Sequence, residues 1–388
     1  DVCSSDLGPA ATNTVLNANS SGAGSLRQII SGSVSGDTIV FQAGLSGQTI
    51  PLTNGQILVT KNLTIDAASL PGGIRISGGG SNRVFEIALN VVLTLSSLTI
   101  QDGYAPSGAY PANAGGGILN RGSLTITNCS ILNNQAAQGT DRGGGGIANS
   151  SGTLVIQNST IAGNSSGTGG GVENYSPSAG SCTLNQCTLA GNAAASYGGG
   201  IYNRGVFNLN QCTVTGNAAT NSAGGLYNVT PVTVFNSIVA GNNSAGNANI
   251  AGSYSPSGIN LTAGDPVLYP LGGYGGPTPT MPPALGSPVI DAGAATPFTT
   301  DQRGLNRVTG NAPDLGAVES QGEDPIVFST ADSGAGSLRA AIAFGAEGST
   351  IKFATNLAGA TILLTSGELV MSRSQDRKST RLNSSHRT

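Results

Sequence analysis

Between Gly115 and Asn242 the chain writes one pattern five times. A glycine-rich start (Gly115, Gly143, Gly169, Gly198, Gly224) leads to an apolar residue (Ile118, Ile147, Val172, Ile201, Leu226). Asn follows two residues on (Asn120, Asn149, Asn174, Asn203, Asn228), and a second Asn closes each unit (Asn134, Asn164, Asn192, Asn217, Asn242). The units are 25 to 30 residues long and hold three short apolar pieces, such as "GGIYN", "VFNLNQ" and "CTVTGN". Pieces this short, bounded by Gly and Asn, read as strands rather than helices. Gly and Asn tolerate positive φ and suit the tight bends between them. No single unit can bury its apolar side chains, so the pattern predicts units stacked about 4.8 Å apart as turns of a parallel β-helix, with three strands and three bends each. The recurring Asn then line up as amide ladders.

The cysteines keep the same spacing. Cys129, Ser159, Cys187, Cys212 and Ser237 share one column at a bend, and Cys182 takes the inward place of Leu124. Buried, unpaired thiols are expected there; a Cys187–Cys212 bridge between adjacent turns is the alternative. By alternation Leu119, Ala148, Glu173, Tyr202 and Tyr227 form a column that faces outward. Tyr202 and Tyr227 are expected to stack in the open, either as a surface ladder or as a platform for a sugar ring or a partner surface.

A second, longer period frames the first. "SGAGSLRQIISGSVSGDTIVF" from Ser21 returns as "SGAGSLRAAIAFGAEGSTIKF" from Ser333, so Gly24 corresponds to Gly336 at an offset of 312 residues. Ser25 suits a helix N-cap, and Leu26, Ile29 and Ile30 share a helical face, as do Leu338 and Ile342. A short amphipathic helix before the first strand covers the open end of a solenoid. The chain therefore divides into one complete module over 13–320 (head 13–36, coils 37–262, Pro/Gly-rich foot 263–320) and the truncated start of a second over 321–373. "DVCSSDL" at the start and the stretch from about 375 to 388 break from the body in composition and resemble translated sequencing-adaptor read-through, so 1–12 reads as a non-native or disordered end and 374–388 as a non-native tail.

Composition narrows the function. Gly is abundant at 60 residues but has no three-residue period, which excludes collagen, and 38 % apolar residues exclude a disordered chain. A net charge of −3 offers no nucleic-acid face. No run reaches the roughly 20 apolar residues that span a bilayer, so no membrane contact is expected within this stretch. His386 is the sole histidine and lies in the terminal tail, which leaves the body without a Ser/His/Asp triad, a Cys/His pair or a zinc site. The glycines after Arg142 lack the Gly-Lys-Ser/Thr of a phosphate loop. No cofactor or metal is expected.

The foot carries "SPVIDAGA" (Ser287–Ala294), "DQRG" (Asp301–Gly304), Arg307, Gly310 and "PDLGAVE" (Pro313–Glu319). These motifs resemble the end of bacterial choice-of-anchor Q domains. The head is similar to the CSLREA-type opening of such proteins, with Gly24 at its Cys position and Gln28 or Ala340 at its Glu position. The "GGGI" starts are similar to the repeats of polymorphic outer-membrane proteins. The resemblance implies a right-handed parallel β-helix in a secreted or surface protein, and no established catalytic residues.

Many parallel β-helices cleave polysaccharides, a chemistry that rests on acidic pairs. An inverting hydrolase needs two carboxyls about 6.5–9.5 Å apart. Asp66 and Asp102 each end an "LTI" strand and, with Arg83 and Glu86, are the candidate catalytic set; Asp141 and Glu173 lie in different columns. In the foot, Asp301, Arg303, Arg307, Asp314 and Glu319 are expected to form a salt-bridged structural cap with bidentate pairing, with calcium or ligand binding as the alternative. The expected fold is all-β, a right-handed parallel β-helix with a short N-terminal capping helix and an irregular C-terminal cap. The expected role is a non-catalytic structural or adhesive module, extracellular or on a bacterial cell surface. Its expected partners are surface glycans, host or neighbour-cell proteins and neighbouring modules. The alternatives are a glycan-active β-helix enzyme and a non-catalytic glycan-binding module.

Overall fold

The computed structural model describes residues 10–137, 143–175, 180–322, 324–334, 336–345 and 348–371. The expectations placed on Asp141, on residues 1–9 and on the tail from 372 onward fall outside the described residues. The chain is an all-β parallel β-solenoid. Its strands stack in register into a ten-stranded sheet running from Thr12–Val15 to Tyr254–Ser257, and two eight-stranded sheets, from Ile57–Val59 to Ile250–Ala251 and from Thr49–Pro51 to Ile238–Val239. We call the last two the site sheet and the flank sheet.

A fourth sheet corrects the three-strand unit. It has six short strands, from Tyr104–Ala105 to Asn243–Ser244, the last five each following the closing Asn of a turn. They explain the glycine-rich starts. A Cβ added at Gly116, Gly145, Gly170, Gly199 or Gly224 would lie 2.2 to 2.4 Å from a backbone oxygen of a short-sheet residue (Gln135, Ser165, Ala193, Ala218, Asn243). The two stretches of main chain pass too close for any side chain, so this one glycine of each start is required by space rather than by its φ.

The inward columns match the expected pattern. Ile118, Ile147, Val172, Ile201 and Leu226 pair in sequence, as do Ile126, Ile156, Leu184 and Leu209, and all are fully buried. Each such side chain contributes roughly 1.5–3 kcal/mol, but only because the turns above and below exclude water. Cys129, Cys182, Cys187 and Cys212 are buried and free. Cys129, Cys187 and Cys212 act as part of a hydroxyl-like column, whereas Cys182 packs inward between Leu154 and Phe207. Cys129 N–H donates to Ser159 Oγ (3.0 Å), Cys187 N–H to Cys212 Sγ (3.4 Å) and Cys212 N–H to Ser237 Oγ (3.0 Å). Burial pushes the Cys129 thiol up to about 12, so it stays protonated.

Both Asn columns form ladders. Nδ2 of Asn134, Asn164, Asn192 and Asn217 each donates to Oδ1 of the next Asn at 2.9–3.0 Å. Asn120, Asn149 and Asn174 do the same at 2.8–2.9 Å. Asn228 departs from its column: Asn203 Nδ2 turns to Thr230 Oγ1 (3.2 Å). Thr230 stands where the other turns have Gly122, Gly152 and Gly205, and its hydroxyl captures the donor.

The head is helix α1 (Leu26–Gly32), capped by Ser25 Oγ on Gln28 N–H, with Leu26 and Ile30 buried on the core. Arg27 clamps it by donating to the carbonyls of Gly55 and Gln56. The second copy repeats the device. Helix α2 (Leu338–Phe344) is capped by Ser337, and Arg339 donates to the carbonyls of Gly367 and Glu368, both at 2.8 Å. Ile326–Val327 pairs with Lys352–Phe353 in the same register as Thr14–Val15 with Val40–Phe41.

The foot does more than close the end of the stack. It runs back along the flank sheet, over the stacked Thr160, Thr188 and Thr213. Gln302 ties it down: its Oε1 accepts from Thr188 Oγ1 (2.6 Å) and its Nε2 donates to Thr160 Oγ1 (2.9 Å). Ala317 N–H donates to Thr213 Oγ1 (3.0 Å).

Candidate functional site

The outward column of the site sheet reads Leu58, Glu86, Leu119, Ala148, Glu173, Tyr202, Tyr227, Ala251. It joins two sets of candidates that look unrelated in sequence, the tyrosines and the Arg83/Glu86 pair. Its exposure corrects the expectation. Leu119 is 0 %, Glu173 1 % and Tyr202 3 % exposed, Ala148 is also buried, and Tyr227 is half-buried. The cover over Leu119 and Ala148 is the loop that bears Tyr110 and Ala114. Alternation sets the direction of these side chains, but it carries no information about a loop that later folds over them.

That loop is held by Arg83. Its guanidinium donates to the carbonyls of Pro111 (2.7 Å), Ala112 (3.0 Å), Ala114 (2.8 Å) and Gly115 (3.0 Å). The remaining nitrogen donates to Gln56 Oε1 (2.6 Å) and Glu86 Oε2 (3.2 Å). Glu86 also pairs with Arg121 (2.9 Å) and accepts from Gln56 Nε2 (2.6 Å). Burial pulls the Arg83 pKa down, with Glu86 opposing. Both groups spend their hydrogen-bonding capacity on the scaffold.

Asp66 and Asp102 are not brought together. Asp66 ends a strand of the ten-stranded sheet opposite Ser96, and its carboxylate accepts from Ala68 N–H (2.9 Å). Asp102 lies beyond the far end of Leu98–Gln101 and accepts from Ser77 Oγ (3.1 Å) and Gln101 Nε2 (2.7 Å). About 13 Å of strand separates the two positions. Glu86 and Glu173 stand three strand steps apart, about 14 Å, with Leu119 and Ala148 between them. Neither pair has the spacing of a hydrolytic acid and base.

Tyr202 and Tyr227 do stack, with centroids 5.3 Å apart and ring planes 11° from parallel. Tyr197 leans on Tyr227 at 4.8 Å. Arg204, which no sequence motif marks, donates from Nε to the Tyr202 hydroxyl (2.7 Å). Its Cζ lies 5.0 Å from the Tyr202 centroid and 5.6 Å from that of Tyr175. Burial raises the Tyr202 pKa, so the ring stays a neutral phenol.

In the foot, Arg303 pairs with Asp301 at 2.9 Å, but both contacting nitrogens meet one oxygen, Oδ2. Arg307 is no bidentate partner of a carboxylate. It donates to the carbonyls of Asp314 (2.6 Å) and Gly316 (2.8 Å) and stands 4.0 Å from Glu319. The Gln211 amide, turned so that its oxygen meets Arg307, accepts from Nε (2.8 Å) and Nη2 (2.7 Å). Asp314 accepts from the N–H of Asp291 (2.7 Å) and Ser320 (2.6 Å). The arginines and carboxylates therefore satisfy main chain in a segment poor in strands. Among the described residues, no group of three or more His, Cys, Asp or Glu could hold a metal ion.

This foot gives a pH prediction. Burial pushes the Glu319 carboxyl up to about 7, and burial raises Asp314 as well. A raised acid pKa means that the folded chain holds more protons than the unfolded one between about pH 4.5 and 7. The contribution to stability is complete below that window and is lost as pH rises through it. The depressed carboxyls, Asp37, Asp324 and Asp332, act below pH 4 and do not mask it. A thermal melt followed by limited proteolysis of the foot is expected to show a lower midpoint at pH 8 than at pH 5, and Glu319→Gln should flatten the difference.

Sheets, register and core together define the chain as a parallel β-solenoid with a covered outer face. No family model matches the chain, and no curated protein matches it. Among solved structures it is similar to pectate lyase Pel9A, with 17 % identity over 80 % of this chain and 97 % of that one, at a TM-score of 0.40. The likeness is one of fold, and no residue role is transferred from it.

Proposed function

We propose that the chain is a non-catalytic structural and adhesive module of a large bacterial secreted or cell-surface repeat protein. One observation carries the reading: the head is built twice, 312 residues apart, and the second head is seated on the foot of the first module. Tyr269 makes the seat. It is 7 % exposed, its hydroxyl accepts from Ile326 N–H (3.2 Å), and its ring meets Phe328 edge-on at 5.5 Å and Tyr274 at 5.9 Å. Modules joined by packed aromatic rings transmit orientation, which suits a stiff stalk. The resemblance of the foot to choice-of-anchor Q domains supports the surface location.

Small-angle scattering tests the joint. The chain is expected to scatter as one elongated body. Tyr269→Ala removes a buried ring, worth about 3 kcal/mol, and should broaden the distance distribution while the coils melt unchanged. Incubation with a polysaccharide panel tests the chemistry. No new reducing ends or unsaturated uronates are expected; product formation abolished by Asp66→Ala or Asp102→Ala would overturn the reading in favour of a glycan-active enzyme.

A further inference from the structure

The outer face of the last turns carries two neighbouring columns. One is Tyr202, Tyr227, Ala251. The other lies two residues further along each strand and reads Tyr175, Arg204, Val229. Backbone bonds from Arg204 N–H to Asn174 (2.8 Å) and from Val229 N–H to Asn203 (2.9 Å) hold it in step. The tyrosine ladder stops at Ala251, whose methyl cannot continue the stack. Tyr227 is half-buried, its ring stacked on Tyr202 and tilted at 45° against Tyr197. Beside it Arg204 is half-buried and fixed by its Nε bond to Tyr202 and by the Tyr175 ring. Among the described residues, the two terminal nitrogens of Arg204 have no hydrogen-bond partner.

We propose that this ledge binds an anionic sugar, its ring stacked on Tyr227 and its acid group held by the free fork of Arg204. Two physical facts support the assignment. One strand step and two residues put the two side chains about 8 Å apart at the backbone, within reach of one sugar residue and its exocyclic acid group. A guanidinium presents two parallel N–H donors that match a carboxylate or a sulfate, and an aromatic face supplies area at low entropic cost. The ligand class is therefore a carboxylated or sulfated saccharide rather than a neutral one. The inference rests on the adhesive reading and names what the module adheres to.

Calorimetric titration of the whole chain with a uronate oligosaccharide, a sulfated one and a neutral one tests it. One of the two acidic ligands should bind and weaken as salt rises, and the neutral one should bind at least about tenfold more weakly. Arg204→Gln and Tyr227→Ala should each cost about tenfold or more, with Arg204→Lys intermediate because it keeps the charge but loses the fork. Which acidic ligand binds identifies the acid group. Circular dichroism confirms that each variant is folded; both Arg204 variants are at a half-buried outer position where the core is untouched. Absence of acidic-sugar binding by the folded wild type overturns the assignment, as does equal binding of the neutral sugar or affinity unchanged in the folded variants. The scattering result at Tyr269 does not depend on any sugar, so failure here leaves the stalk reading to stand or fall by itself.

Discussion

Gly170→Ala is expected to destabilise the coils by about 3 kcal/mol, read as a shift of the urea midpoint at constant slope. The new Cβ would sit 2.3 Å from the Ala193 carbonyl oxygen and 2.5 Å from that of Gly199. Both are main-chain atoms of the next turn, fixed by ladder bonds, and neither can swing aside. The backbone at Gly170 is not in the left-handed region, so the penalty is steric. Gly191 is the contrast. Its φ is +64°, but nothing lies within 4 Å of an added Cβ, and Asn133 occupies the equivalent place with φ +54°. Gly191→Asn should therefore change stability by less than about 1 kcal/mol. If the two variants behave alike, glycine serves these turns through flexibility rather than through space.

Asn164→Ala is expected to cost about 4 kcal/mol by the same measurement. The side chain is fully buried and makes four bonds. Its Oδ1 accepts from Asn134 N–H (2.8 Å) and Asn134 Nδ2 (2.9 Å), and its Nδ2 donates to Ile131 O (2.9 Å) and Asn192 Oδ1 (2.9 Å). Alanine leaves those partners dry and unpaired, at roughly 1–3 kcal/mol for each group that water cannot reach. Asn164→Asp should be as damaging, because a carboxylate keeps the acceptors, loses both donors and buries a charge. Asn208→Ala, on the outer face and bonded only to Thr183 Oγ1 at 3.5 Å, should fall within about 0.5 kcal/mol. A small effect at Asn164 would mean that the ladder specifies register without stabilising it.

These two variants bear on how the foot acts. The coils close their own backbone through the ladders, but the flank sheet would expose Thr160, Thr188 and Thr213 without Gln302 and Ala317 lying over them. The foot thus converts a bare outer face into an internal interface, and Tyr269, near its start, seats the second head. Its arginines serve this shape. Arg307 reaches the carbonyls of Asp314 and Gly316 and the amide of Gln211, so it fastens the foot to itself and to the coil at once.

The sequence by itself determined the solenoid. Its turns touch only their neighbours, so each structural requirement recurs every 25 to 30 residues and appears as a column: Ile118 with Ile147, Asn134 with Asn164, Cys187 with Cys212. The doubled head was equally plain, since Arg27 and Arg339 stand in the same words. The tertiary structure alone decided the rest. Two-residue strands such as Gln135–Ala136 have no periodicity of their own and are visible only from the glycines they crowd. Tyr202 points outward as alternation requires, yet it is buried, because Tyr227 stacks on its ring and Arg204 bonds its hydroxyl. Gln302 meets Thr188 across 114 residues, once, with no repeat to betray it. Contacts between adjacent turns leave a period in the chain, whereas a loop or foot folded across the outside makes each contact a single time, and only packing in three dimensions reveals it.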